Sequence, residues 1–530
     1  MTAGTTPSKR ARRTRSRLDL AAYGEQLDRF LEQVNEAQYR QLAGLEDGMG
    51  LEAIYAEHGG LFDKRAIESL RTLADGDGEE PAQARALLAF AVEEHLSSRV
   101  AELTEAIAVA ESQAVVVWRG ARIAYRDVWN RATDIAHRAE RNALAASHYE
   151  ALEAMNPLRW ERLLRMVELA RQLGYADVPD MVSRTAGFAP EELAAEERAF
   201  LVDSETVYFA ALRRNLAEID IEQGDASRVD LARILRASGW DAWFPGRGML
   251  PALRRTLAGM GIDLDSQAAI GLDVERRERK SPRAFCATLR VPGDVRLVMQ
   301  PRGGWEDYAA LLHEAGHAEH FAHVSADLPI AFRRLGDASL TEGYAGLFEL
   351  LLGEPAWLME HAGMPEAEAI AFADFNAFWQ LSRARLLAAR LIYELYLHRE
   401  PDVILAREQF AGMMSHTLGV ITPPEEYLVQ TDDNLRVARY ARAVMVEGAL
   451  AAWLRASYGE AWWRSAEAGD ALRRSWSRGQ QWNAQDVVAH LGYDHLDWRP
   501  VLRQIRTRLI GEMSGYGGPN ITTRAGTRKV

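Results

Sequence analysis

A single cysteine, Cys286, stands in 530 residues. It excludes an intramolecular disulfide framework and a thiolate-rich metal site, and its ordinary use is as a small buried apolar side chain. That economy suits a reducing compartment, and we expect a cytoplasmic protein. Long apolar runs are also missing. Nowhere do about 18 consecutive apolar residues occur, so no membrane span is expected. The opening MTAGTTPSKRARRTRSR is basic like the start of an export signal, but LDLAAYGEQLDRF follows where an unbroken apolar core is needed, and no export signal is read. Basic charge is in deficit: 63 Lys and Arg face 76 Asp and Glu, for a net −13 and a pI near 5.6. Nucleic acid is therefore not an expected partner, because its phosphates require a basic face.

Apolar residues make up 48% of the chain, enough for a large core. Stretches such as LARQLGYADVPDMVSRTAG and SRVDLARILRASGWDAWF space their apolar residues by three and four between Gly, Pro and Asp breaks, which predicts helices nearly throughout. No repeat at a fixed period occurs. We divide the chain into a basic disordered tail (1–18), a helical region (19–270), a second region (271–512) and a flexible tail (513–530), the tails on composition. The one exception to helix is RAFCATLRVPGDVRLVMQ (283–300). It alternates apolar and polar residues on either side of Pro292-Gly293-Asp294, which predicts a small β-hairpin. A strand there is a candidate for edge pairing with an extended peptide.

Directly after it comes ALLHEAGHAEHFAHV (310–324). Within this stretch His313-Glu314-Ala315-Gly316-His317 is an H-E-x-x-H. At 100° per residue the two histidines lie about 40° apart and one turn apart on a helix, so both rings can meet one ion, with Glu314 beside whatever that ion binds. With 13 histidines and 76 acidic residues, chance supplies roughly 0.05 copies of the motif. The motif is therefore a signal, but one that needs a third ligand, because catalytic zinc commonly takes three and leaves a position for water.

Two residues compete for that place. His323 has the spacing of H-E-x-x-H-x-x-G-x-x-H, but His320 stands where that pattern has glycine. On an unbroken helix His323 would lie about 80° round from His313 and about 9 Å beyond His317, which favours the alternative. That alternative is Glu342 in SLTEGYAGLFELLLGEP, an amphipathic helix that also carries Glu349 on nearly the same face. Glu349 could orient a ligand histidine, pair with an arginine, or be merely solvated. His320 shares the histidine face, either supporting a ligand or packed as a core histidine.

HEAGHAEHF, with TEGYAGLFE placing Glu342 25 residues after His317, resembles the zinc peptidases of the thimet oligopeptidase and oligoendopeptidase F family, gluzincins of the M3 type, and more faintly angiotensin-converting enzyme. Roughly residues 280 to 510 carry the likeness. It implies a mainly α, two-lobed body with a deep central channel, and one zinc ion per chain held by His313, His317 and Glu342. It also implies hydrolysis of short oligopeptides, with Glu314 as general base on a zinc-bound water. One element departs from the pattern. The family stabilises the oxyanion with a late tyrosine, and in YARAVMVEGAL Ala443 falls at that position. Tyr440, one turn earlier, is the candidate replacement, with Tyr427 the weaker one. Arg436 and Arg442 are candidates to bind a substrate carboxylate. The alternative to a peptidase is a zinc-holding protein of the same fold that binds peptides or a partner without efficient turnover. His416 has no assigned partner, and the tryptophans at 453, 462, 463, 476 and 482 are expected to fill space between helices.

Overall fold

In the computed structural model, residues 17–431 and 434–511 are described. The tail read at 1–18 lies outside them except for its last two residues, and the tail from 513 lies wholly outside. The architecture is mainly helical, as the apolar spacing predicts. Helix Pro190–Ala217 packs along the long helix Glu366–Arg399, so the first half of the chain is fastened to the second. The main apolar core accordingly runs from Tyr23 to Leu509 and includes Trp462, Trp463 and Trp476. No helix among the described residues is long and apolar enough to cross a membrane.

Strands occur in two places, one of them unanticipated. β1 (Val115–Trp118) and β2 (Ala121–Ala124) form an antiparallel hairpin. Its two-residue turn, Arg119-Gly120, has positive φ at both positions, the backbone that matches the twist of a tight hairpin. The second sheet has three strands. β3 (Ile270–Asp273), β4 (Phe285–Arg290) and β5 (Asp294–Val298) are ordered β3-β5-β4. The predicted hairpin is β4 and β5, in register from Phe285 opposite Val298. β3 joins β5 in parallel, so the boundary drawn at 270/271 falls inside a strand.

Four helices position the site. The histidine helix is Trp305–His323, entered through Gly304. The glutamate helix is Ala338–Glu349, capped by Asp337, whose carboxylate accepts from the Ser339 N–H. The arginine helix is the long Glu366–Arg399, and the tyrosine helix is Arg436–Tyr458. The glutamate helix lies between the histidine and tyrosine helices, and the histidine helix also packs against β4 and β5.

Candidate metal centre

Close packing of the histidine and glutamate helices is a matter of small residues. A Cβ on Gly316, the glycine inside the H-E-x-x-H, would stand 2.7 Å from Ala345 Cα and 2.9 Å from the Tyr344 carbonyl oxygen. Both are backbone atoms of the facing helix and cannot step aside. Gly346 plays the same part on the other face, where a Cβ would run into the Glu447 carboxylate. Gly316→Ala is therefore expected to push the two helices apart, lower stability by about 1–3 kcal/mol and weaken metal binding. Chemical denaturation and metal titration of the same variant check both effects.

That packing brings three donors together. One ring nitrogen of His313, one of His317 and one Glu342 carboxylate oxygen all lie within 4.8 Å of one another. His313 Nε2 is 3.3 Å from Glu342 Oε2, and His317 Nε2 is 3.8 Å from Glu342 Oε1. Tetrahedral zinc with arms of about 2.0–2.1 Å has ligand-to-ligand edges of about 3.4 Å; the two contacts, to different oxygens of the carboxylate, lie near that length. The two imidazoles stand nearly perpendicular, with centroids 5.0 Å apart. The three side chains are 14% to 24% exposed, so the cluster is reachable from outside. No known protein-family model matches the chain, and no curated protein does. The site is therefore read from its own geometry.

Its electrostatics call for a cation. Burial opposes charge on His313, yet Glu342 and Glu349 raise it to about 10, so positive charge is favoured at this point. His317 is pushed down to about 4, chiefly by burial, which keeps it a neutral donor. Glu342 and Glu349 stay ionised against their burial, Glu342 through His313 and His317, Glu349 through Arg383 and His313. Glu349 stands behind the cluster: its Oε2 lies 3.3 Å from His313 Nδ1 and 3.5 Å from Arg383. A carboxylate behind a ligand imidazole fixes the ring's tautomer and angle. Glu349→Gln is expected to weaken metal binding about 10- to 100-fold, measurable by competition with a chelator.

Glu314 is held by the sheet. Its Oε2 accepts the Cys286 N–H at 2.9 Å, and burial, partly offset by His313 and this hydrogen bond, raises the carboxyl to about 7. Burial and the same carboxylate push the Cys286 thiol well up. The outer edge of β4 is thus less open than the sequence suggests. Two residues along, the Thr288 carbonyl accepts from Asn35 Nδ2 at 2.7 Å and from Arg334 at 3.1 Å, which closes that end of the strand to a pairing peptide.

The remaining candidates divide. His323 is not in the donor group; its Nδ1 lies 2.8 Å from the Glu319 carbonyl and its ring rests near Trp476. His320 is wholly buried between Phe321 and Tyr344, and burial lowers it to about 3, the state of a packed core histidine. Tyr440 is 38% exposed, and its phenol acts on Arg383 together with Glu349, Glu447 and Glu342. Ala443 is buried instead. Tyr427 belongs to a separate apolar cluster with Leu163, Tyr393 and Phe410, beneath Arg407, and is not brought to the histidines. His416 is exposed.

Arg442, a candidate from the sequence to bind a substrate carboxylate, is engaged within the protein. It donates to Asp337 Oδ2 at 3.1 Å and to Ser339 Oγ at 3.3 Å, tying the tyrosine helix to the cap of the glutamate helix. Asp337 is held below its ordinary 3.8 against its burial, by Arg442 and the Ala484 and Ser339 N–H groups. A depressed carboxyl stabilises fully above the unfolded value, and that share is lost as pH falls through the lower folded value. Arg442→Met should therefore cost about 3 kcal/mol at neutral pH, with the gap from wild type narrowing below about pH 4, as thermal midpoints across pH would record.

Two neighbours of the cluster escaped the sequence. Arg383 is one of several arginines in LSRARLLAAR and carries no local signal. Glu447 does carry one, an acid inside VMVEGAL; it is buried and raised to about 8, chiefly by that burial and against the pull of Arg383.

Proposed function

We propose that the protein is a zinc-dependent metallopeptidase that hydrolyses short oligopeptides. The observation that carries this reading is the meeting of His313, His317 and Glu342 within 4.8 Å beside a carboxylate, Glu314, whose burial raises it to about 7. A divalent ion bound there supplies a Lewis acid for a peptide carbonyl and lowers the pKa of water. Zinc suits a donor set of two imidazoles and one carboxylate.

Glu314 takes the proton from the attacking water and returns it to the leaving amine. The Cys286 N–H fixes the direction from which it acts. Glu349 holds the His313 ring in place from behind. Tyr440, exposed and a neighbour of Arg383, is the candidate hydroxyl for the oxyanion. The reading includes a channel between two lobes that admits only short chains, and a reducing, cytoplasmic setting that suits the lone cysteine.

A second reading is favoured by Ala443, which is buried and bears no hydroxyl: a metal-holding protein of this fold that binds peptides without turning them over. One experiment separates the two. Metal-loaded protein, chelated protein and Glu314→Gln are incubated with a mixed library of short peptides and the products followed by mass spectrometry. Cleavage by the loaded wild type alone supports the peptidase. Stoichiometric metal with no cleavage supports the second reading and removes the first.

A further inference from the structure

Three helices enclose a cavity to which none of the three metal donors contributes. The arginine helix and the tyrosine helix supply two walls and the C-terminal helix Arg499–Ile510 the third, around a space of about 710 Å³. Ordinary small-molecule sites measure about 300–1,000 Å³. The groove stays open because its two long walls present alanine at one-turn spacing, Ala373 and Ala377 on one and Ala452 and Ala456 on the other, where longer side chains would close-pack.

A polar end is built into the cavity. Asn376 is 2% exposed, and its Oδ1 accepts from Gln380 Nε2 at 2.6 Å. Its own Nδ2 has no protein partner among the described residues, and a buried N–H without an acceptor is costly. Gln504 repeats the pattern. Its Oε1 accepts from Arg455 at 3.3 Å, and because a guanidinium can only donate, the Gln504 Nε2 is the atom left over. Both amides line the cavity. Charge points the same way. Arg455 is held by Glu354, and Arg508 lies 3.9 Å from Asp374, whereas exposed Arg503, also on the lining, has no ion-pair partner among the described residues. Glu460, the remaining acid, extends into solvent with its side chain 89% exposed.

We propose that this cavity is a second ligand site, for a small carboxylic acid on an apolar body. Two amide donors and a free guanidinium suit the carboxylate, and the alanines with Ile370 and Pro500 suit the hydrocarbon. A free organic acid and the C-terminal residue of a peptide share that chemistry. The site is separate from the metal centre. Gln380 and Gln504 also adjoin Arg383 and Glu447, but the space among these four is about 10 Å³, room for about one water and too narrow for a chain. The proposal therefore holds whether or not the protein is a peptidase.

Calorimetric titration of the metal-loaded protein tests it, comparing hexanoate with hexanamide and N-acetylleucine with its amide. Wild type, Arg503→Gln, Asn376→Leu and Ala452→Phe are run in parallel, with metal content and thermal midpoint checked for each. The wild type is expected to bind the acids with a Kd on the order of a millimolar and about tenfold or more tighter than the amides, the worth of one charge-assisted contact. Arg503→Gln should erase most of that preference, and Asn376→Leu should weaken acid and amide alike. Ala452→Phe, which fills the space without touching a metal donor, should abolish binding of all four probes. Arg503 and Ala452 are not in the buried core, so these two variants carry the test even where Asn376→Leu fails to fold. The tighter of hexanoate and N-acetylleucine tells whether a free acid or a peptide end is the natural source. Acid and amide bound alike by the wild type, or no binding of any probe, overturns the site. So does binding that survives Ala452→Phe, the result expected of a carboxylate that goes to the metal instead.

Discussion

Glu314→Gln is expected to bind metal as the wild type does and to cleave peptides about 10²- to 10⁴-fold more slowly. Glutamine keeps the volume and an oxygen to accept the Cys286 N–H, so the local packing survives. What it loses is the ability to take up a proton at neutral pH. Glu314 is not among the three donors that converge, so the ion has no reason to leave. The loss should fall on kcat with little change in KM, because the interaction is made in the transition state. A variant that turned over like the wild type would put the base elsewhere.

The second large effect separates the two candidate third ligands. Glu342→Ala is expected to release the metal, and activity with it, because it removes the one carboxylate among the described residues within reach of both His313 and His317. Its affinity loss should exceed the 10- to 100-fold expected when only the orienting Glu349 is altered. His323→Ala should leave metal binding and activity close to wild type, since that ring is engaged with the Glu319 carbonyl and Trp476. Metal content after gel filtration, measured on the two variants in parallel, gives the answer. The opposite result, metal kept by Glu342→Ala and lost by His323→Ala, would overturn the ligand set.

Much of the site was legible because its parts follow local rules. A four-residue spacing puts His313 and His317 on one helix face whatever the rest of the chain does, and the unbroken helix after them carries His323 away. Proline and glycine between two alternating stretches marked β4 and β5. The β1–β2 hairpin was missed because VVVWRGARIA is a short apolar run, which strand and helix share equally, and its turn residue Arg119 is not one that usually marks positive φ.

Sequence alone determined the helical character, the two histidines one turn apart with Glu314 beside them, and the departure of His323 from their face, since each follows from periodicity within one element. Only the tertiary structure decided which side chains meet across elements. It sent Arg442 to the Asp337 cap and Tyr427 to a separate core, placed Ala443 inside and Tyr440 outside, and brought Arg383 and Glu447 to the glutamate helix. Those assignments depend on how closely helices approach. That closeness is set by contacts such as Gly316 on Ala345 and Gly346 under Glu447, between residues far apart in the chain, which no local pattern encodes.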